Sequence, residues 1–270
     1  MKKLIALALA LVLCVTLVAC GEKEETGAKI AAQKGTTSFM YADALKNTTV
    51  TTYDTFALAA KDMLNGNADY LFVDKTTAKS LQKEIAGLKI IEIALSSENY
   101  GIGIDKNQAD LKTKIDQILV DKAAEINAIK EKYMNGEEDK YVGVTSATKD
   151  GSKAAQQLVV ATSAEFAPWE YKQGTEFFGI DMEIAKLFAD ELGLELVIDD
   201  MEFDAVVGAV GKQNVDIAMS GITITTERLN VINFSEPYYT ESIVCVVKDS
   251  NTELDSAGTV VDMLGIICNK

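Results

Sequence analysis

Gly179-Ile-Asp-Met-Glu-Ile-Ala-Lys-Leu-Phe-Ala-Asp-Glu-Leu-Gly-Leu-Glu-Leu-Val-Ile198 decides the fold of this chain. Residues up to Leu192 carry apolar side chains at helical spacing, Gly193 closes the helix, and Leu194 to Ile198 read as a strand. Upstream, Leu158-Val-Val-Ala161 is another apolar strand, and downstream come a helix over Phe203–Val210, the strand Val215-Asp-Ile-Ala-Met219 and a short helix over Thr225–Leu229. The first half repeats the alternation. Strands are expected at Lys29–Gln33, Thr48–Tyr53, Asp69–Asp74 and Leu88–Ile93. Between them lie a helix opened by Gly35-Thr-Thr-Ser38, a helix capped by Thr55 and stopped at Asn65-Gly-Asn67, and one running to Ala86. Residues 107–134 form a long amphipathic helical stretch, and Gly136 to Gln157, polar and rich in Gly, Ser and Thr, reads as a linker. Strands alternating with helices imply parallel α/β sheets, whose ligands sit at the carboxyl ends of strands. The loops that qualify are Phe166–Trp169, Ser220–Thr223, Gly35–Ser38 and Asp74.

Those loops share one chemistry. Arg228 is the single arginine among 26 basic residues, and Trp169 is the single tryptophan. A guanidinium offers a planar fork that fits a carboxylate, which the point charge of lysine cannot reproduce. The helix-opening amides of Thr36 and Thr37 add donors to the same anion. Asp74 can pair with an ammonium, and Ser220, the Gly221 carbonyl and Thr223 supply neutral hydrogen bonds. Phe166, Trp169 and Phe203 supply flat apolar walls. A carboxylate site, an ammonium site and a side-chain slot together describe a free α-amino acid. Two bland readings stand beside this one: Phe203 as core, and Asp74 as a cap for the helix at Thr76 and Thr77. Thr225 reads as an N-cap, and Tyr100 as hinge packing.

Composition narrows the partners. The formal net charge is −15, which excludes a nucleic-acid partner because phosphates need a basic face. With no histidine, the commonest metal ligand and general base is missing, and no catalytic set, metal site or cofactor site is expected. Residues 1–19 read as an export signal, with Lys2 and Lys3 ahead of the apolar run Leu4–Val15. Leu17-Val-Ala-Cys20 resembles a bacterial lipoprotein cleavage box, making Cys20 the lipidation site and residues 20–28 a tether. The expected location is therefore extracytoplasmic, with a lipid anchor in the membrane. Cys245, inside an apolar strand, reads as a buried inert thiol.

Glu165-Phe-Ala-Pro-Trp-Glu-Tyr171, Gly179-Ile-Asp-Met-Glu-Ile-Ala185, Ser220-Gly-Ile-Thr-Ile-Thr-Thr-Glu-Arg228 and Asn233-Phe-Ser-Glu-Pro-Tyr-Tyr239 resemble the solute-binding proteins of bacterial ABC importers for polar amino acids, family 3 type. Gln33-Lys-Gly-Thr-Thr37, Asp69–Asp74 and Glu98-Asn-Tyr-Gly-Ile-Gly-Ile104 resemble the later part of the same family. The resemblance implies a two-lobed, hinged, type II periplasmic-binding-protein fold, an ABC permease as membrane partner and a free L-amino acid of the polar class as ligand. It implies Arg228 on the ligand carboxylate with the amides of Thr223 and Thr37. It places Asp74, the Gly221 carbonyl and the Thr223 hydroxyl on the ammonium. Phe166 and Phe203 would sandwich the side chain, with Trp169 at its edge; Trp169 is expected at the cleft mouth, its ring partly exposed in the open state.

The order of the segments departs from the family, because the later half precedes the earlier one. The chain reads as circularly permuted: residues 29–95 form lobe 2, and 96–135 a crossover and the C-terminal helices of lobe 1. Residues 136–157 are the linker, 158–239 lobe 1, 240–250 a crossover strand to lobe 2, and 251–270 a tail, read as a patch strand or a translated junction. A rearranged product without binding, an exchange of halves between two chains, and a sensory binding domain stay open as alternatives.

Overall fold

The structure is a computed structural model that describes residues 27–212 and 215–270. The export signal, Cys20 and the tether up to residue 26 lie outside the described residues.

Continuous apolar runs, Tyr-Leu-Phe-Val and Leu-Val-Val-Ala, make the central strands. Tyr70–Asp74 is buried at every position, as is Gln157–Thr162, the pattern of strands covered on both faces. Each is the core of a five-stranded sheet. In lobe 2 the order is Thr48–Tyr53, Ala28–Gln33, Tyr70–Asp74, Ile243–Lys248, Leu88–Ile91. The first three are parallel, and Ile243–Lys248 inserts antiparallel to both its neighbours. In lobe 1 the order is Glu195–Asp200, Gln157–Thr162, Ile217–Ala218, Gly103–Ile104, Asn233–Phe234. Here Gly103–Ile104 is the antiparallel insertion.

The chain crosses between lobes twice, at Glu98–Tyr100 and Tyr239–Glu241. These strands pair antiparallel in a two-stranded ribbon that sets Glu98 opposite Glu241 and Tyr100 opposite Tyr239. Neither lobe is one continuous stretch of chain: lobe 2 needs a strand from beyond residue 240, and lobe 1 needs one from before residue 105. The mixed α/β class read from the alternation is the class observed.

Three segments differ from the reading above. The helical stretch 107–134 is two helices, Ala109–Asp121 and Ala123–Met134, broken at Lys122, whose backbone leaves helical geometry. Residues 136–157 are tied to lobe 1. The Val144 amide donates to the Phe177 carbonyl at 2.7 Å, and the Ser146 hydroxyl accepts from the Ile198 amide at 2.8 Å. One bond joins two backbones and the other uses a serine hydroxyl, so a polar segment that marks a linker in sequence is fastened to the lobe. The tail contains no strand among its residues; Val260–Cys268 is a helix capped by Thr259, whose hydroxyl accepts from the Asp262 amide at 3.2 Å. Met263 and Ile267 of that helix are buried with Ile30, Phe72 and Cys245, so helical spacing of apolar residues, not alternation, covers one face of the lobe 2 sheet. Cys245 is buried there, and burial pushes its thiol well up from its ordinary value.

Removing that cover is expected to unfold lobe 2 first. Met263→Ala should destabilise the protein by about 2–4 kcal/mol, the usual result of truncating a buried methionine. Calorimetric unfolding checks it, and an unchanged melting temperature would mean the helix is not part of the cooperative core.

Candidate functional site

A cleft between the lobes is lined from lobe 2 by Gln33, Thr36, Thr37, Phe56 and Asp74, and from lobe 1 by Phe166, Phe203, Gly221, Thr223 and Arg228. Local sequence sets each one. Thr225 caps the short helix Thr226–Val231 by accepting from the Arg228 amide at 3.2 Å, which fixes Arg228 in the first turn. Arg228 is 7% exposed. Among the described residues its hydrogen bonds go to backbone carbonyls, Nη1 donating to Thr223 at 2.8 Å and Nη2 to Gly35 at 3.1 Å. The first carbonyl belongs to its own lobe and the second to the other. A guanidinium has five N–H donors, so this fork keeps donors for a further acceptor. Burial pulls the guanidinium down from its ordinary value, and the charges of Glu98 and Asp74 oppose that pull.

Asp74 ends the buried strand and stands at the N-cap of helix Lys75–Glu84, yet its side chain makes no capping bond. The carboxyl is held well above the usual carboxylate range, first by burial and then by the charges of Glu241 and Glu98; the Tyr100 hydroxyl works against this. Thr36 caps helix Thr37–Asp43, accepting from the Phe39 amide at 3.1 Å while its own hydroxyl donates to the Gln33 carbonyl at 2.7 Å. The Thr36 amide also turns to Gln33, at 3.4 Å, so of the two helix-opening amides read from sequence it is internally used.

Gly221 has φ +52°, and a Cβ there would lie 2.6 Å from the Phe166 ring and 3.1 Å from that of Tyr100. Only glycine brings the loop this close beneath the aromatic wall. Phe166 packs on Phe56 with ring centroids 5.7 Å apart, and the Arg228 guanidinium lies 5.6 Å from the Phe203 centroid. Phe203 is thus partly a platform for the arginine.

The cleft gathers Thr36, Thr37, Asp74, Phe166, Phe203, Gly221, Thr223 and Arg228. It does not gather Trp169 or Ser220. Trp169 is fully buried rather than partly exposed at the mouth. Its Nε1 donates to the Thr76 hydroxyl of the other lobe at 2.9 Å, and its ring meets those of Tyr100 and Tyr239 edge-on at 4.9 and 4.7 Å. The indole is a wedge behind the cleft because its one polar atom finds a partner there. Ser220 is fully buried beneath the loop; its hydroxyl donates to Glu170 at 2.6 Å and accepts from the Ser163 amide at 3.2 Å. Its neighbour Asp181, also fully buried, accepts from the Gly221 amide at 2.9 Å and from the Tyr238 hydroxyl at 2.7 Å. Burial pushes Asp181 up to about 6 and raises Glu170 well above its ordinary value.

Sequence reasoning missed Gln33, Phe56, Glu98 and Glu241. Phe56 opens a helix whose apolar face reads as core. Glu98 and Glu241 are 143 positions apart in sequence and meet only through the ribbon register. Their single sequence sign is that each sits in a segment expected to cross between lobes. Glu241 accepts from the Thr76 hydroxyl, while Glu98 Oε2 accepts from the hydroxyls of Thr37 at 2.6 Å and Thr223 at 2.7 Å.

Residues 158–260 match the bacterial extracellular solute-binding proteins, family 3. Over 103 residues the chain is 36% identical to the arginine-binding extracellular protein ArtP of Bacillus subtilis (strain 168), covering 38% of this chain and 40% of ArtP. Over 114 residues it is 32% identical to the probable ABC transporter arginine-binding protein ArtJ of Chlamydia trachomatis serovar D, covering 40% of this chain and 44% of that protein. Among solved structures, the arginine-bound form of domain 1 from TmArgBP is 31% identical, covering 44% of this chain and 98% of that one, with a TM-score of 0.31, too low for a comparison of shape. The chain therefore spans less than half the length of these curated relatives. Among the described residues no helix is long and apolar enough to cross a membrane.

Stability of the ligand-free protein is expected to rise as pH falls from 7 toward 5. An acid whose folded-state pKa exceeds its unfolded one binds a proton on folding. For Asp181 the gain begins as pH drops through about 6 and is complete below its ordinary value of 3.8. Asp74, Glu170 and Glu241 are shifted in the same direction, each mainly by burial. A melting temperature that is flat or falling across this window would show these carboxyls to be solvated. In a separate variant, Gly221→Ala should push Phe166 out of place and lower stability by about 1–3 kcal/mol, the range for strained backbone, as read by the same melts.

Proposed function

We propose, for a chain whose residues 158–260 match the bacterial extracellular solute-binding proteins of family 3, that it captures a free L-amino acid outside the cytoplasm and delivers it to the membrane permease of an ABC importer. One observation carries the reading: a buried guanidinium from lobe 1, Arg228, and a buried carboxyl from lobe 2, Asp74, line the same cleft. An α-amino acid has the two matching poles. Its carboxylate takes the free donors of Arg228 and the Thr37 amide; its ammonium takes Asp74, the Gly221 carbonyl and the Thr223 hydroxyl; Phe56, Phe166 and Phe203 flank its side chain. Each buried charge gains the partner it lacks, the condition under which burying a charge is favourable.

The favoured ligand is cationic, with L-arginine first. The charges of Glu98 and Asp74 both act on the lone Arg228, so a ligand with net positive charge balances the site better than a neutral one. The arginine-binding names of the relatives point the same way. Cys20 carries the lipid anchor that holds the protein at the membrane. The segment order is a circular permutation, with residues 136–157 joining the former ends. In support, the matched segment follows the lobe 2 strands, and the insertion of Ile243–Lys248 between Tyr70–Asp74 and Leu88–Ile91 makes the two halves one interleaved structure.

Calorimetric titration with the common amino acids tests the reading, and L-arginine is expected to give the tightest saturable binding. Arg228→Lys should weaken it roughly ten- to hundredfold, the equivalent of about 1.5–3 kcal/mol for a charged hydrogen bond. Equal affinity of the lysine variant would place the carboxylate elsewhere, and no binding of any amino acid to a cooperatively folded sample would refute the function.

A further inference from the structure

The strand that carries Glu98 is fastened to the cleft loop by backbone bonds. The Ile224 amide donates to the Asn99 carbonyl at 2.8 Å, the Gly101 amide donates to the Ile222 carbonyl at 3.0 Å, and Tyr100 bridges Thr223. This brings one carboxylate oxygen, Glu98 Oε2, within 2.6 Å of the Thr37 hydroxyl from lobe 2 and 2.7 Å of the Thr223 hydroxyl from lobe 1. The two hydroxyl oxygens are 3.5 Å from each other.

Both hydroxyls donate to this one carboxyl oxygen, which accepts through its lone pairs. A hydroxyl has one proton. With that proton fixed on Glu98, each threonine can turn only lone pairs toward the cleft that both residues line. The same logic leaves the 3.5 Å gap between them unbonded, since neither has a second proton. An ammonium has three donors and no acceptor, which suits two fixed acceptors; a neutral acceptor group at the same place would face lone pairs against lone pairs.

We propose that Glu98 is a positioning residue that fixes two threonine hydroxyls, one from each lobe, as acceptors, and thereby makes the cleft select a ligand bearing an α-ammonium. This rests on the amino-acid reading above and deepens it. Glu98 acts through Thr37 and Thr223, so its signature is a change in selectivity for the amino group rather than a general loss of binding.

The experiment compares L-arginine with 5-guanidinopentanoate, the same molecule without its amino group, by calorimetry on the full chain and on Glu98→Leu and Glu98→Gln. The parent is expected to prefer L-arginine. Glu98→Leu, which removes the acceptor, should bind L-arginine about tenfold or more weakly while binding the des-amino acid within roughly threefold of the parent, the scale of one to two lost hydrogen bonds. Glu98→Gln should stay within roughly threefold of the parent for both, because its amide oxygen can accept both hydroxyls without the charge. Thermal melts report folding, and Glu98→Ala makes the same comparison if the leucine variant does not melt cooperatively. Unchanged preference in Glu98→Leu, or an equal loss in Glu98→Gln, overturns the alignment role, the latter by assigning the effect to charge. A parent that binds both compounds equally also overturns it while leaving binding itself intact; a parent that binds neither of them, nor any other common amino acid, refutes the amino-acid reading on which it rests.

Discussion

A buried guanidinium held by two neutral carbonyls is the constraint on which the arrangement turns. Arg228 bonds to Thr223 in its own lobe and to Gly35 in the other, so the side chain to which the proposed function assigns the ligand carboxylate also spans the interface. Taking a charge out of water without a counter-charge is costly, and carbonyl dipoles offset only part of it. The rest of the molecule is organised around that position. Thr225 fixes the helix turn that presents the arginine, Phe203 lies against it, and Gly221 lets the neighbouring loop pass under Phe166.

The interface between lobes has a second layer behind the cleft. Trp169 from lobe 1 donates to Thr76 of lobe 2, whose hydroxyl is in turn held by Glu241 on the ribbon. Glu98, opposite Glu241, reaches one threonine of each lobe. Like charges opposite each other on paired strands repel, and here both carboxylates are quenched by hydroxyls rather than by cations. The ribbon that joins the lobes is therefore also a place where carboxyl groups and lobe contact share the same few residues. At the rim, Lys34 and Asp204 add a contact at 2.6 Å, but both are solvated and worth little.

What the sequence made legible follows from what each signal measures. Helical and strand periodicity reports burial, so the mixed α/β class and the alternation of elements were readable from runs such as Gly179–Ile198. Chemically rare residues at element ends were readable too: the single arginine, the aspartate closing a buried strand and the threonines opening a helix all reach one cleft. The misreadings concern partners distant in sequence. Trp169 in a loop reads as exposed until Thr76 supplies a buried acceptor for its indole. Ser220 reads as a ligand contact until Glu170 claims its hydroxyl. Glu98 gives no sign of a site role in sequence beyond its place in a crossover segment, because its threonine partners come from other elements. The tail reads as a patch strand or a translated junction; only the sheet face that Val260–Cys268 covers selects a helix.

The central claim is that the two poles of one amino acid join the two lobes through Arg228 and Asp74. A crystal structure of the protein grown with L-arginine tests this most directly. The account predicts the ligand carboxylate on the Arg228 fork and its ammonium at Asp74, the Gly221 carbonyl and the threonine hydroxyls. A ligand bound in the opposite orientation, or bound outside this cleft with Arg228 and Asp74 untouched, would contradict it.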